Sequence, residues 1–177
     1  MPTDTLPGLH ACIDQPEAIA RITEIKGRNE QRPLLVLVAS LEEALPFLEL
    51  SEVMIKASKQ LWPGPYTLVL PACSTVPVEV TAGTGTLAVR VPDDDRLRAL
   101  LATIGRPLVS TSANKSGAPP AQSIEEAATM LGDDVDLVAE LFLTGAGRPS
   151  TLLDLTQWPP VVIRAGAGIV PDHWNET

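Results

Sequence analysis

Apolar positions along the chain switch repeatedly between a helical and a strand period, and seventeen prolines and twelve glycines punctuate the changes. Ile19, Ile22 and Ile25 recur at helical spacing. Asp14-Gln15-Pro16-Glu17 ahead of them reads as a helix start, with an N-cap oxygen, a first-turn proline and Glu17 closing a capping box; Gly27 ends the run. Pro33-Leu34-Leu35-Val36-Leu37-Val38 is a continuous apolar run of strand length, as expected of a strand covered on both faces. Ser51-Glu52 opens a second helix that stops at Trp62-Pro63-Gly64-Pro65, and strands are predicted from Tyr66 to Leu70 and from Leu87 to Val91. A third helix, Asp93 to Ile104, carries Leu97, Leu100, Leu101 and Ile104 on one face. Leu108-Val109-Ser110 is a short buried strand leading into a polar loop, Thr111 to Gln122. Ser123 and Glu126 then form a capping box for a helix to about Leu131. Short strands at Leu152 to Asp154 and Val161 to Ile163 finish the pattern. No repeat, low-complexity tract or shift in composition marks a linker. The reading is one α/β domain over residues 1–177, with a mixed sheet because some strands adjoin through short connections.

Composition narrows the function classes. Of 177 residues, 45% are apolar and charges are interspersed, so the chain can bury a core and is not disordered. The net charge of −9 excludes a surface that grips nucleic acid as a whole and leaves open only a local basic groove. No apolar stretch approaches the ~20 residues of a membrane span, and the N-terminus lacks a signal-peptide pattern. Cys12, Cys73, His10 and His173 cannot fill a typical structural zinc site, and two cysteines do not make a disulfide scaffold. A soluble cytoplasmic protein with reduced thiols is expected.

Two segments carry most of the polar chemistry. Lys26-Gly27-Arg28, with Arg32 four residues on, lies where a helix gives way to a strand; two guanidiniums and an ammonium there suit a polyphosphate, or simply a solvated helix end. Ser110-Thr111-Ser112-Ala113-Asn114-Lys115-Ser116-Gly117 follows a buried strand directly, where α/β proteins place ligand-binding loops, although its composition also fits an ordinary turn. Arg90 lies inside an apolar strand and needs an anionic partner, either a ligand or an aspartate such as Asp4. Gly147-Arg148-Pro149-Ser150-Thr151 and Arg164-Ala165-Gly166 flank the last two strands. Asp93-Asp94-Asp95 suits the positive end of the helix it precedes better than a metal, and the tryptophan before Pro63 reads as a packed helix stop. Neither histidine has an acid or nucleophile at recognisable spacing, and there is no Walker loop or GxGxxG.

Taken in order, these segments resemble the YrdC/TsaC family of L-threonylcarbamoyladenylate synthases. The matching pieces are PTDT at Pro2 to Thr5 with Gly8-Leu9, KGR at Lys26 to Arg28 with Arg32-Pro33-Leu34, and WPGPYTLVLP at Trp62 to Pro71. TLAVRVP at Thr86 to Pro92, STSANKSGAPP at Ser110 to Pro120, STLLDL at Ser150 to Leu155 and IRAG at Ile163 to Gly166 complete them. The resemblance implies a twisted mixed sheet with flanking helices around a large concave, positively charged cavity. It implies formation of threonylcarbamoyl-AMP and pyrophosphate from threonine, bicarbonate and ATP, for threonylcarbamoylation of tRNA. By carry-over, Lys26, Arg28, Arg32, Thr86, Asn114 and Arg164 contact ATP, while Thr5, Arg90, Ser112 and Ser150 hold threonine. Lys26, Arg28, Ser112 and Asn114 are the candidate catalytic residues.

The resemblance further implies magnesium carried on the ATP phosphates with no protein metal site, a downstream tRNA threonylcarbamoyl-transferase complex that receives the product, weak tRNA binding at most, no membrane, and room for a homodimer. Three departures stand out. Pro7 replaces an aromatic, Leu37 replaces a histidine common in the threonine pocket, and the family's helix and first strand before PTDT are expected to be missing from this sequence. The first two predict a less selective amino-acid site. Two other readings share the fold: a degenerate nucleotide- or RNA-binding member, and a carbamoyl-adenylate enzyme of larger maturation proteins, whose zinc-finger and acylphosphatase segments are not in this sequence.

Overall fold

The computed structural model describes residues 1–27, 33–115, 117–140 and 145–170. Seven strands form one sheet: β1 (Gly8–Cys12), β2 (Leu35–Leu37), β3 (Tyr66–Pro71), β4 (Thr86–Arg90), β5 (Leu108–Ser112), β6 (Thr151–Asp154) and β7 (Val161–Arg164). Their order is β1-β5-β2-β4-β3-β6-β7. The β2–β4 and β3–β6 pairs are parallel and the other four antiparallel, so the sheet is mixed, as the short connections predict. Six α-helices accompany it among the described residues: α1 (Pro16–Ile25), α2 (Leu41–Ala44), α3 (Glu52–Leu61), α4 (Val78–Thr81), α5 (Asp95–Ile104) and α6 (Ile124–Leu131).

The register sorts the strand residues onto two unlike faces. Residues paired across strands, and alternate residues along a strand, share a face. Leu35 pairs with both Ala88 and Ser110, Leu37 with Arg90 and Leu108, Gly8 with Ser112, and Leu152 with Thr67 and Arg164. Ser110, Ser112, Thr67, Arg90 and Arg164 therefore project to one side. On the other side stand Val36, Val89, Val109, Leu68 and Leu153, each no more than 1% exposed. That second face is covered by Ile19 and Ile22 of α1, Ala57 and Leu61 of α3, Val80 of α4, and Ala127 and Leu131 of α6, and makes the main core. A smaller cluster forms where Leu97 and Leu101 of α5 cover Leu37 and Leu108 on the polar face.

Several local expectations are corrected. Helix α1 is capped by the backbone of Gln15 with no side-chain bond, so the predicted Asp14/Glu17 capping box does not form. Asp14 instead pairs with Arg106, 3.1 Å away just beyond α5. The box at α6 does form, with Ser123 Oγ accepting from Glu126 N–H and the Glu126 carboxylate accepting from Gln122 N–H. Strand β5 extends through Ser112, so the start of the expected polar loop is sheet. Strand β1 and the short helices α2 and α4 were not foreseen. No helix among the described residues is long and apolar enough to cross a membrane.

Candidate functional site

On the polar face of the sheet lies a cavity of about 350 Å³, within the range of small-molecule sites. Thr5, Arg90, Ser112, Ser150 and Arg164, drawn from five separate stretches of the chain, all line it. Pro7 and Leu37, the two departures, line it as well, and Leu37 also packs against α5. Thr3 and Thr67 line it without having been singled out, and Ser110, named only as part of the polar segment, lines it too. The signal for Ser110 and Thr67 was a hydroxyl at an alternate position of an otherwise apolar strand.

Arg90 is a buried cation, 2% exposed. Its partner is Asp4: Nη2 donates to Asp4 Oδ2 at 2.6 Å, Nη1 to Thr5 Oγ1 at 2.6 Å, and Nε to the Gly64 carbonyl at 3.2 Å. Burial lowers the guanidinium's pKa from its ordinary value, and Asp4 acts in the opposite sense. The helix stop before β3 thus belongs to the site. A Cβ on Gly64 would lie 2.2 Å from the Leu61 carbonyl, so only glycine brings that backbone under Arg90. Trp62 is buried, its indole N–H donating to the Tyr66 carbonyl at 2.9 Å, as a packed stop. At the other end, Arg164 Nη2 donates to the Ser150 carbonyl at 3.0 Å, and Ser150 and Thr67 share a 2.6 Å hydroxyl bond. Arg164 has no carboxylate partner among the described residues, so its charge is met only by the neutral oxygens of Ser150 and by solvent.

Lys26 and Asn114 form a second cluster behind Ser112. The Lys26 ammonium, 2% exposed as a residue, donates to the Ser112 carbonyl at 2.9 Å and to Asn114 Oδ1 at 2.5 Å. Ser112 Oγ donates to the same Oδ1 at 2.5 Å, and Asn114 Nδ2 donates to the carbonyls of Lys115 and Ala118. Every hydrogen-bonding position of the Asn114 amide is therefore used, and the segment after β5 is a prefolded loop tied to the end of α1. Neither residue is on the cavity lining. Thr86 is outside that lining too, its hydroxyl bonded to that of Thr84 at 2.8 Å. Arg28 and Arg32 lie outside the described residues.

The acidic run behaves structurally. Asp94 caps α5 by accepting from Leu97 N–H, and Asp93 and Asp95 both pair with Arg98. A second cavity, about 320 Å³, lies at the β1 end between α1 and α6, with walls of Ile22, Ile25, Ala127 and Leu131 and an Arg21–Asp136 pair on its lining. His10 faces it, and neither ring nitrogen has a hydrogen-bond partner among the described residues. Burial, and after it the nearby N-terminal ammonium, push the pKa of His10 down to about 3. None of the predicted site residues lines this second cavity.

Known proteins resemble the chain along most of its length. Residues 1–166 match the Sua5/YciO/YrdC family, described as telomere recombination. A threonylcarbamoyl-AMP synthase of Pyrococcus abyssi is 38% identical over 166 residues, 93% of this chain and 49% of the relative. One from Vibrio campbellii is 35% identical over 156 residues, 86% of this chain and 84% of the relative. The chain thus spans about half of the archaeal relative and most of the bacterial one. Among solved structures, P. abyssi Sua5 complexed with L-threonine superposes with a TM-score of 0.87 at 38% identity, covering 93% of this chain and 49% of that one. Escherichia coli YciO superposes with a TM-score of 0.79 at 29% identity, covering 96% and 82%.

Proposed function

The chain belongs to the Sua5/YciO/YrdC family, and on that premise we propose that it is a nucleotidyltransferase making L-threonylcarbamoyl-AMP and pyrophosphate from L-threonine, bicarbonate and ATP, for threonylcarbamoyladenosine modification of tRNA. The observation that carries this reading is the cavity on the polar sheet face, where hydroxyls and guanidiniums converge without a nucleophile–base pair among the described lining residues. The threonine amine adds to the carbon of bicarbonate, losing water to give a carbamate. A carbamate oxygen then attacks the α-phosphorus of ATP, the bond to the β-phosphate oxygen breaks, and pyrophosphate leaves. Two anions must be held in line against their repulsion, which calls for fixed cations and dipoles and not for a covalent intermediate.

Arg164, Lys26, Arg28, Arg32, Thr86 and Asn114 are assigned to the nucleotide, and Thr5, Arg90, Ser112 and Ser150 to threonine. Lys26 and Asn114 act largely by shaping the loop that presents Ser112, since their bonds are already made within the protein. Among the described residues the cavity lining carries no carboxylate, so it suits magnesium only as a companion of the triphosphate, where the ion would screen phosphate charge. Pro7 and Leu37 make the amino-acid end more apolar, which supports weaker discrimination among amino acids. With a net charge of −9, product passes to a separate tRNA transferase and direct tRNA affinity is weak and salt-sensitive.

The test is pyrophosphate release from ATP and bicarbonate with and without L-threonine. Threonine-dependent release is the expected result. ATP binding without any release would favour a degenerate nucleotide-binding protein.

A further inference from the structure

The carboxylate of Asp4 is used in an unusual way. Its Oδ2 accepts from Arg90 Nη2 at 2.6 Å and from the Asp93 N–H at 2.9 Å, while its Oδ1 is buried with no hydrogen-bond partner among the described residues. A buried carboxylate oxygen left unpaired is costly, so fold stability alone is a poor reason for this arrangement. What it does achieve is directional. With Nη2 held by Asp4 and Nε by Gly64, the planar guanidinium has no freedom left, and Nη1 must point at the Thr5 hydroxyl.

The protons then follow. Thr3 Oγ1 donates its only proton to the Leu6 carbonyl at 2.7 Å. It also accepts from the Thr5 and Leu6 N–H groups, each at 3.2 Å, so both its lone pairs are taken and the 3.1 Å approach of the two hydroxyls leaves the Thr5 proton free. Thr5 Oγ1 receives from Arg90 and keeps its proton and one lone pair. Since Thr5 lines the cavity, it offers a ligand a hydroxyl that is held in place and can both give and accept.

We propose that Asp4 is a positioning residue for amino-acid binding: by locking Arg90 it fixes the place of the Thr5 hydroxyl in the cavity wall, where that hydroxyl exchanges hydrogen bonds with the polar groups of the amino acid. This rests on the amino-acid site proposed above and adds Asp4 to it. Asp4 does not line the cavity, so it acts only through Arg90 and Thr5.

The experiment measures threonine-dependent pyrophosphate release for wild type, Asp4→Asn, Thr5→Val and the double variant. Asp4→Asn should raise the KM for threonine by about tenfold or more, the size expected for a lost charge-assisted contact, and leave the KM for ATP within about twofold. In the Thr5→Val background the same change should add less than about twofold, because both act through one hydroxyl. An unchanged threonine KM, a parallel rise for ATP, or independent effects in the double variant would overturn the proposal. If Asp4→Asn does not fold, Asp4→Glu replaces it: the charge pair with Arg90 is kept, but the longer side chain displaces the guanidinium from Thr5. The same selective rise in threonine KM is then expected, and no rise overturns the idea. Wild type without threonine-dependent release would instead sink the amino-acid reading, and this inference with it.

Discussion

Single residues divide into those that meet a ligand and those that hold others in place, and the two kinds should fail differently. Arg164 has only neutral partners at the cavity mouth, so Arg164→Ala should weaken ATP binding by roughly ten- to hundredfold with little change in stability. Asn114→Ala removes partners from the buried Lys26 ammonium, so calorimetric titration and urea unfolding should both register it, the latter by about 1–3 kcal/mol. His10 yields a prediction about acid. Its pKa of about 3 lies below the ordinary 6.5, so the unfolded chain takes up a proton that the folded one refuses. Stability from this group is complete above about pH 6.5 and drains away as pH falls toward 3. Urea midpoints from pH 7 to pH 4 should fall in wild type and fall less in His10→Phe; equal slopes would count against it. The candidate site was legible in sequence mainly as hydroxyls and cations interrupting apolar strands. Asp4 was visible as an acid that Arg90 needed, but its hold on the Thr5 hydroxyl through Arg90 was not, because no local pattern places Thr5 beside that guanidinium.

Elements were read best where periodicity and caps agreed. Helix α6 has both, and Ser123→Ala should cost about 1 kcal/mol in chemical denaturation. Helix α1 had a cap signal in Asp14, yet Arg106 arrives from beyond α5 and takes that carboxylate, a long-range competitor no local pattern reveals. Gln15→Ser should therefore stabilise by about 0.5–1 kcal/mol if its hydroxyl caps α1; no gain would mean the local backbone, with ψ at 81°, holds the hydroxyl off the helix. Strand β1 escaped notice because glycine, alanine, cysteine and histidine give it little strand propensity. It exists because β5 offers a ladder of five paired residues. The short helices α2 and α4, four residues each, are below the length at which a period can be recognised.

At the scale of the whole molecule, the sheet separates stability from chemistry: the helix-covered face is apolar and the other carries the cavity. Leu153, fully buried on the core face, should on truncation to alanine lower unfolding free energy by about 2–5 kcal/mol while ATP affinity, measured well below the melting temperature, stays near wild type. A proportionate loss of affinity would show the two faces to be coupled. The same sheet has a consequence in time. Gly8 pairs with Ser112 and Tyr66 with Thr151, so neither pairing can begin until most of the intervening chain has been made. Closing such long loops is entropically slow, and strand β7, bearing Arg164, is made after every other strand among the described residues. A chain still emerging from the ribosome therefore holds the pieces of its candidate site without the site until β7 is in place. Refolding followed by nucleotide binding should lag behind the recovery of helical signal, and added nucleotide should slow unfolding without speeding the climb back.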